Sequence, residues 1–185
     1  MYVVMSGLPC SGKTTLGRRI ATEFGLPLID KDDILEQLFE ARGVGDSSWR
    51  RVLSRESDVL FRERALASPS GAVLVSFWRV PGMAADSGTT LDWIHETGTP
   101  IVHVRCDCDT ETATSRFHSR VRHPGHLDAS RSVEEIRHSI YAIAALPALD
   151  LRPTVVVDTS REVDFETIRT WITSARAESV GARRL

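Results

Sequence analysis

An α/β fold, built on a parallel sheet with helices on both faces, is what this 185-residue sequence predicts, and two observations predict it. Five short apolar runs rich in β-branched residues alternate with stretches of helical periodicity, the signature of successive strand–helix–strand units. Between the first run and the first helical stretch stands Gly7-Leu-Pro-Cys-Ser-Gly12-Lys13-Thr14, which satisfies G-x-x-x-x-G-K-[ST] at every fixed position.

The first strand is Tyr2-Val-Val-Met5, apolar throughout as a buried parallel strand must be. The first helix is expected from Thr15 to Phe24, with Leu16, Ile20, Ala21 and Phe24 on one face. The loop between them suits a polyphosphate. Its glycines let backbone N–H groups turn inward, and the helix N-terminus adds its positive end. Gly7, Leu8, Pro9, Cys10, Ser11, Gly12, Lys13, Thr14 and Thr15 are therefore candidate nucleotide-binding residues. Lys13 is expected on the β- and γ-phosphates, and the Thr14 hydroxyl on Mg²⁺. The stretch predicts binding of a nucleoside triphosphate.

Gly25-Leu-Pro27 ends the helix, and Leu26 to Ile29 is expected as the second strand. Asp30, Asp32 and Asp33 follow at its carboxyl end, where open α/β sheets bind ligands. Carboxylates there suit a general base or magnesium ligation, and equally the capping of a helix over Ile34 to Glu40. Two glycines in Ala41–Asp46 break that helix. Ser47 opens a longer one to about Ala67, with Trp49, Leu53, Leu60 and Phe61 apolar and Arg50, Arg51, Arg55, Arg62 and Arg64 basic. This helical insert, about 32–68, is expected to hold an acceptor. Ala72 to Phe77 is a central strand ending in Trp78-Arg79, and Trp49, Arg55, Trp78 and Arg79 are candidate acceptor contacts. No acid follows that strand until Asp86, so magnesium is expected to rest on Thr14, the 30–33 cluster and the phosphates.

Thr89-Thr-Leu-Asp92 has the form of a capping box for a short helix to Glu96, and Ile101 to Val104 is the fourth strand. A helix is expected from Thr110 through Arg122, with Arg116 and Arg120 four apart on one face. The loop from Arg122 to Asp128 carries His123 and His126. With the preceding arginines it suits a lid, about 115–128, over a transferring phosphoryl group. Metal binding by His118, His123 and His126 is the alternative. Ser132 and Glu135 form a capping box for a helix to about Ala145, Thr154 to Val157 is the fifth strand, and Phe165 to Ala175 the last helix. The basic stretch 179–185 is expected to be a loose tail, leaving one domain over 1–178.

Composition narrows the function. A net charge of −2 supplies no electrostatic footprint for nucleic acid or an anionic membrane. No run of residues approaches a membrane span. A first strand starting at Tyr2 and three sparse cysteines, Cys10, Cys106 and Cys108, lead to the expectation of a cytoplasmic protein with reduced thiols and no leader. Cys106 and Cys108 are expected to close a strand, since no second pair completes a zinc site.

With its phosphate loop after the first strand, the pattern selects a P-loop NTPase three-layer sandwich with a five-stranded parallel sheet. The loop, Leu28-Ile-Asp-Lys-Asp-Asp33, and Arg116…Arg120-Val-Arg-His-Pro-Gly-His126 together resemble the small P-loop kinases. That group includes chloramphenicol phosphotransferase, zeta-toxin-like kinases, gluconate kinase and the kinase domain of polynucleotide kinase. The resemblance spans nearly the whole chain in element order, with only the loop highly specific. It implies ATP and Mg²⁺ as cofactors and a small-molecule hydroxyl as acceptor, with a nucleic acid 5′-hydroxyl kinase or a non-catalytic nucleotide-binding module as alternatives. It implies Asp32, after the basic Lys31, as general base and, with Thr14, on the metal. Lys13, Arg116 and Arg120 would act on the phosphates, and Thr159 to Arg161 would lie beside the adenine.

Overall fold

A computed structural model describes residues 1–181. Five parallel strands form one sheet in the order β2-β3-β1-β4-β5: β1 is Tyr2–Gly7, β2 Leu28–Asp30, β3 Val73–Val75, β4 Ile101–Asp107 and β5 Thr154–Asp158. The helices are α1 (Lys13–Phe24), α2 (Lys31–Arg42), α3 (Ser47–Leu66), α4 (Asp92–Glu96), α5 (Thr110–Ser119), α6 (Val133–Ala144) and α7 (Phe165–Gly181).

The central strand explains the layering. Tyr2, Val3, Val4 and Met5 are all buried, and successive side chains point to opposite faces. Val3 and Met5 pack with Leu16 and Ile20 of α1 and with Phe165, Ile168 and Ile172 of α7. Tyr2 and Val4 pack on the other face with Ile34, Phe61, Trp78, Trp93 and Ile94. A third cluster joins α5 and α6 through Ala113, Phe117, Ile136 and Ile140, and reaches Leu8 and Cys10 of the phosphate loop. The chain thus leaves the sheet at Gly7 between two filled layers, with the α5–α6 pair beside the loop.

Several boundaries depart from the sequence expectation, each for a tertiary reason. Strand β4 continues to Asp107, because Arg105 and Cys106 pair with Ser6 and Gly7 on one side and with Val156 and Val157 on the other. Helix α2 starts at Lys31, since the Asp30 carboxylate accepts from the Asp32 N–H and caps it. The capping box at Thr89 does not form: the Thr89 hydroxyl donates to Asp58 Oδ1 (2.7 Å) and pairs with Ser76 (2.6 Å), and α4 begins without a side-chain cap. Helix α5 stops at Ser119 and Arg120 is extended, with its guanidinium 3.6 Å from Asp128 and stacked over Phe117. The capping box at Ser132 forms as expected. Helix α7 continues to Gly181, past the expected end at Ala175; residues 182–185 of the expected tail lie outside the described residues. No helix among the described residues is long and apolar enough to cross a membrane.

Leu74, fully buried in β3, tests this layering. Leu74→Ala is expected to lose about 2–5 kcal/mol and Val156→Ala, half exposed on edge strand β5, within about 0.5 kcal/mol of nothing, as read by denaturant or thermal unfolding.

Candidate active site

The phosphate loop is shaped by one close approach. Gly7 has φ +136°, and a Cβ there would lie 2.2 Å from the Cys106 carbonyl oxygen and 2.6 Å from Ser11 Oγ. Only glycine allows the chain to turn so tightly off β1. Cys10 is itself left-handed at φ 60°, strain of the kind that collects at functional sites. Across the turn the Lys13 ammonium donates to the carbonyls of Gly7 (3.0 Å) and Leu8 (2.7 Å). Burial pushes its pKa down, against the pull of Cys106, Asp32 and Asp30. Thr159, after β5, braces the loop by donating to the Ser11 carbonyl at 2.7 Å. The Ser11 hydroxyl itself is buried with no partner, an orphan facing a loop built for anions.

Asp30 and Asp32 stand across from the loop in different environments. Asp30, 5% exposed, accepts from the Thr14 hydroxyl at 2.6 Å and from the Asp32 N–H at 3.0 Å. Burial raises its pKa to about 6, opposed by the Thr14 bond. Asp32 is half exposed and paired with Arg122. Burial works against its ionisation, but Arg122, His126, Arg120 and Lys13 together hold it below the usual carboxylate range. Asp33 points away from this pair and lines a shallow surface hollow with Glu36.

The 115–131 segment closes over both carboxylates. Asp128 gathers Arg122 (3.1 Å) and Arg120 (3.6 Å). His126 pairs with Glu36 at 2.9 Å and His123 with Glu40 at 3.0 Å, both on α2, while the His123 ring stacks on Phe39. Gly125 lies so close to Phe39 that a Cβ would sit 2.4 Å from its ring. The histidines thus pin this segment to α2. Among the described residues no three His, Cys, Asp or Glu side chains converge as a metal cluster.

Between loop, carboxylates and arginines lies a cleft of about 780 Å³. Gly12, Lys13, Thr14, Thr15, Pro9 and Cys10 line one wall; Asp30, Asp32, Arg116, Arg120 and Thr159 also face it. Arg116 donates to the Thr159 carbonyl at 2.9 Å, tying α5 to the end of β5. Other expected site residues lie elsewhere. Trp49 donates to the Gly43 carbonyl and packs with Phe39 and Leu53. Arg55 is exposed, 4.0 Å from Asp86, and does not line the cleft. Arg79 is tied to the Ser87 carbonyl (2.8 Å), and Trp78 is buried, donating to the Met5 carbonyl (2.7 Å). Arg161 is exposed, paired with Asp158.

The family model of an AAA domain, AAA_33, matches residues 3–141. The chain belongs to this family. A shikimate kinase of Paracidovorax citrulli is 42% identical over 63 residues, 34% of this chain and 31% of that protein. One of Mycobacterium bovis is 36% identical over 101 residues, 49% of this chain and 54% of the relative. The matches therefore span only about a third to a half of the curated relatives' length. Among solved structures, a presumed kinase of Chloroflexus aurantiacus superposes with a TM-score of 0.74 at 22% identity, covering 96% of both chains. A gluconokinase of Sinorhizobium meliloti gives 0.53 at 18%, covering 98% of this chain and 95% of its own. At these identities the likeness is one of fold.

The cleft also takes residues outside the expected site set, Arg50, Asp128 and Arg131 among them. Arg50 of α3 lines it where Arg55 was expected; five residues apart on a helix they point about 140° from one another. Its Nε is buried without a partner. Arg131 and Asp128 join from the far end of the closing segment, where no local pattern marks them.

Burial acts oppositely on two groups here. Asp30 is raised to about 6, so its proton is held more tightly in the folded state and stability is lost as pH rises from 3.8 through 6. His103, buried and near Arg105, is lowered to about 4, so stability is lost as pH falls from 6.5 through 4. Each amounts to on the order of 3 kcal/mol, and in the native chain they offset. In Asp30→Asn, without nucleotide or magnesium, the protein is expected to be more stable than wild type at pH 7. Its unfolding midpoint should then fall more steeply than wild type between pH 6.5 and 4; parallel pH profiles would contradict these assignments.

Proposed function

We propose that this protein transfers the γ-phosphate of ATP to a hydroxyl group of a small-molecule acceptor. The observation that carries the reading is the facing of Lys13, across one cleft, by two carboxylates in unlike protonation environments and a set of lid arginines. A phosphate loop alone implies a nucleotide; a carboxylate held ionised opposite it implies transfer. Membership of the family and the partial matches to shikimate kinases support the same class of chemistry.

The residues present fit Mg²⁺. Thr14 and Asp30 offer a hydroxyl and a carboxylate oxygen 2.6 Å apart, and a cation would relieve the burial that keeps Asp30 from full ionisation. In this reading Asp30 takes the metal role that the sequence assigned to Asp32, leaving Asp32 to the acceptor. Magnesium, when bound, neutralises charge on the β- and γ-phosphate oxygens. The backbone N–H groups of Cys10, Gly12, Lys13 and Thr14 hold the phosphates, and Arg116 and Thr159 border the base. Asp32 orients the acceptor hydroxyl and accepts its proton as the oxygen–phosphorus bond forms and the bond to the departing ADP breaks. Lys13 and Arg120 meet the charge that spreads over the transferring group.

Arg122 has two stations in this scheme. Paired with Asp32 it blocks the base; moved to the γ-phosphate it frees the base and adds a positive charge where the transition state needs one. The pocket floor on α2 and α3 then receives the acceptor, with Arg50 as its nearest unpaired cation.

Incubation with Mg²⁺ and γ-labelled ATP, with metabolites, antibiotics and a 5′-hydroxyl oligonucleotide as acceptors, tests the class of reaction. Label is expected on a small molecule; label on the oligonucleotide alone would replace this reading with a nucleic acid kinase. Asp32→Asn should lower kcat by about 10²-fold or more while leaving ATP affinity within about threefold. Equal transfer by the variant removes Asp32 from the mechanism.

A further inference from the structure

The cleft continues past the phosphate loop along one face of α1. Gly12, Thr15, Leu16 and Arg19 all line it, at the i, i+3, i+4 and i+7 spacing of a single helical face. Seven residues of helix carry that wall about 10 Å beyond Gly12. Val163, in the loop after Thr159, lines the same end and packs with Leu16 in one apolar cluster. A diphosphate anchored in the loop would extend its ribose along this wall, so that the base meets Arg19 as well as Arg116 and Thr159.

Arg19 presents an unpaired donor edge at this end. Its guanidinium lies over the Phe165 ring, 3.9 Å from the centroid, and that stacking fixes the plane of the fork. Phe165 is buried in the core cluster at the start of α7, so the platform beneath is packed in place. The Arg19 side chain is otherwise open to solvent, with no hydrogen bond or ion pair among the described residues. The three carboxylates that line the cleft are engaged elsewhere: Asp30 by Thr14, Asp32 by Arg122, and Asp128 by Arg120 and Arg122. Arg116, the other cation at this end, is held by the Thr159 carbonyl at 2.9 Å.

The two purines answer such a fork differently. Guanine offers O6 and N7, adjacent acceptors that match a planar pair of N–H donors, whereas adenine sets an amino donor beside its N7. We propose that Arg19 reads the base, and that the protein takes guanine nucleotides at least as readily as adenine ones, with GTP as a second phosphoryl donor. On GTP the step is the one given above. The acceptor oxygen bonds the γ-phosphorus, its proton passes to Asp32, and GDP departs in place of ADP. The donor role rests on the phosphotransfer reading, but recognition of the base rests on the cleft and the Arg19 edge alone.

Binding of ADP, GDP and 7-deaza-GDP, each with Mg²⁺, is measured by titration calorimetry. Wild type is compared with Arg19→Lys, which keeps the charge and loses the fork. In wild type GDP is expected to bind within about threefold of ADP or more tightly. The 7-deaza compound, which lacks the N7 acceptor, should bind about tenfold more weakly than GDP. Arg19→Lys should weaken GDP about tenfold, leave ADP within about twofold, and no longer separate GDP from its 7-deaza form. GDP weaker than ADP by more than about threefold in wild type overturns the assignment. So does 7-deaza-GDP binding as tightly as GDP, or a loss in Arg19→Lys common to ADP and GDP in protein with an unaltered unfolding midpoint. Label from γ-labelled GTP is then followed onto the acceptors used above. Transfer from GTP as well as ATP supports the donor role, and transfer from ATP alone overturns it. GDP bound as expected with no transfer from either triphosphate overturns the phosphotransfer reading and leaves recognition of the base standing.

Discussion

A carboxylate almost wholly buried at the wall of a cleft is the constraint around which this molecule is arranged. Asp30 sits at the end of β2, 5% exposed, and is tolerated there because the Thr14 hydroxyl and the Asp32 N–H both donate to it. Those two bonds join three elements: the first turn of α1, the end of β2 and the first turn of α2. Because β3 lies between β1 and β2 in the sheet, the loop leaving β1 and the carboxylate leaving β2 face one another across the end of β3. A residual cost remains in the raised pKa, and it is the kind of cost a bound cation removes.

The closing segment answers the second carboxylate in the same terms. Asp32 is ionised and exposed enough to receive a partner from the other end of the chain, and Arg122 supplies it. Asp128 then organises Arg120 and Arg122, while the pairs His126–Glu36 and His123–Glu40 hold the segment down on α2. The packing beneath is apolar and close, with Gly125 against the Phe39 ring, so the segment has a defined seat on α2. Electrostatics chooses the register of that seat, and Phe39 provides its floor.

The strength of the local signals explains which features were legible in advance. Gly7, Gly12, Lys13 and Thr14 are fixed by backbone geometry within eight residues, and a turn that admits no Cβ leaves the same mark in any sequence. The capping box at Ser132 is equally local. At Thr89 the same kind of pattern misled, because Ser76 and Asp58, distant in the chain, engage the hydroxyl first. The extent of β4 was underestimated for a related reason: Arg105 and Cys106 are strand because strands flank them on both sides, whatever their own preference.

The sequence by itself determined the fold class, the phosphate loop and the presence of acids after the second strand, since each depends on neighbours a few residues away. The tertiary structure alone decided which acid touches Thr14 and which arginine of α3 enters the cleft. Those outcomes depend on helix phase and on which strand lies beside which, and they bring together residues as far apart as Asp32 and Arg122. No short-range rule encodes such a distance, because the free energy that selects it is that of closing one buried, charge-balanced site from separate segments of chain.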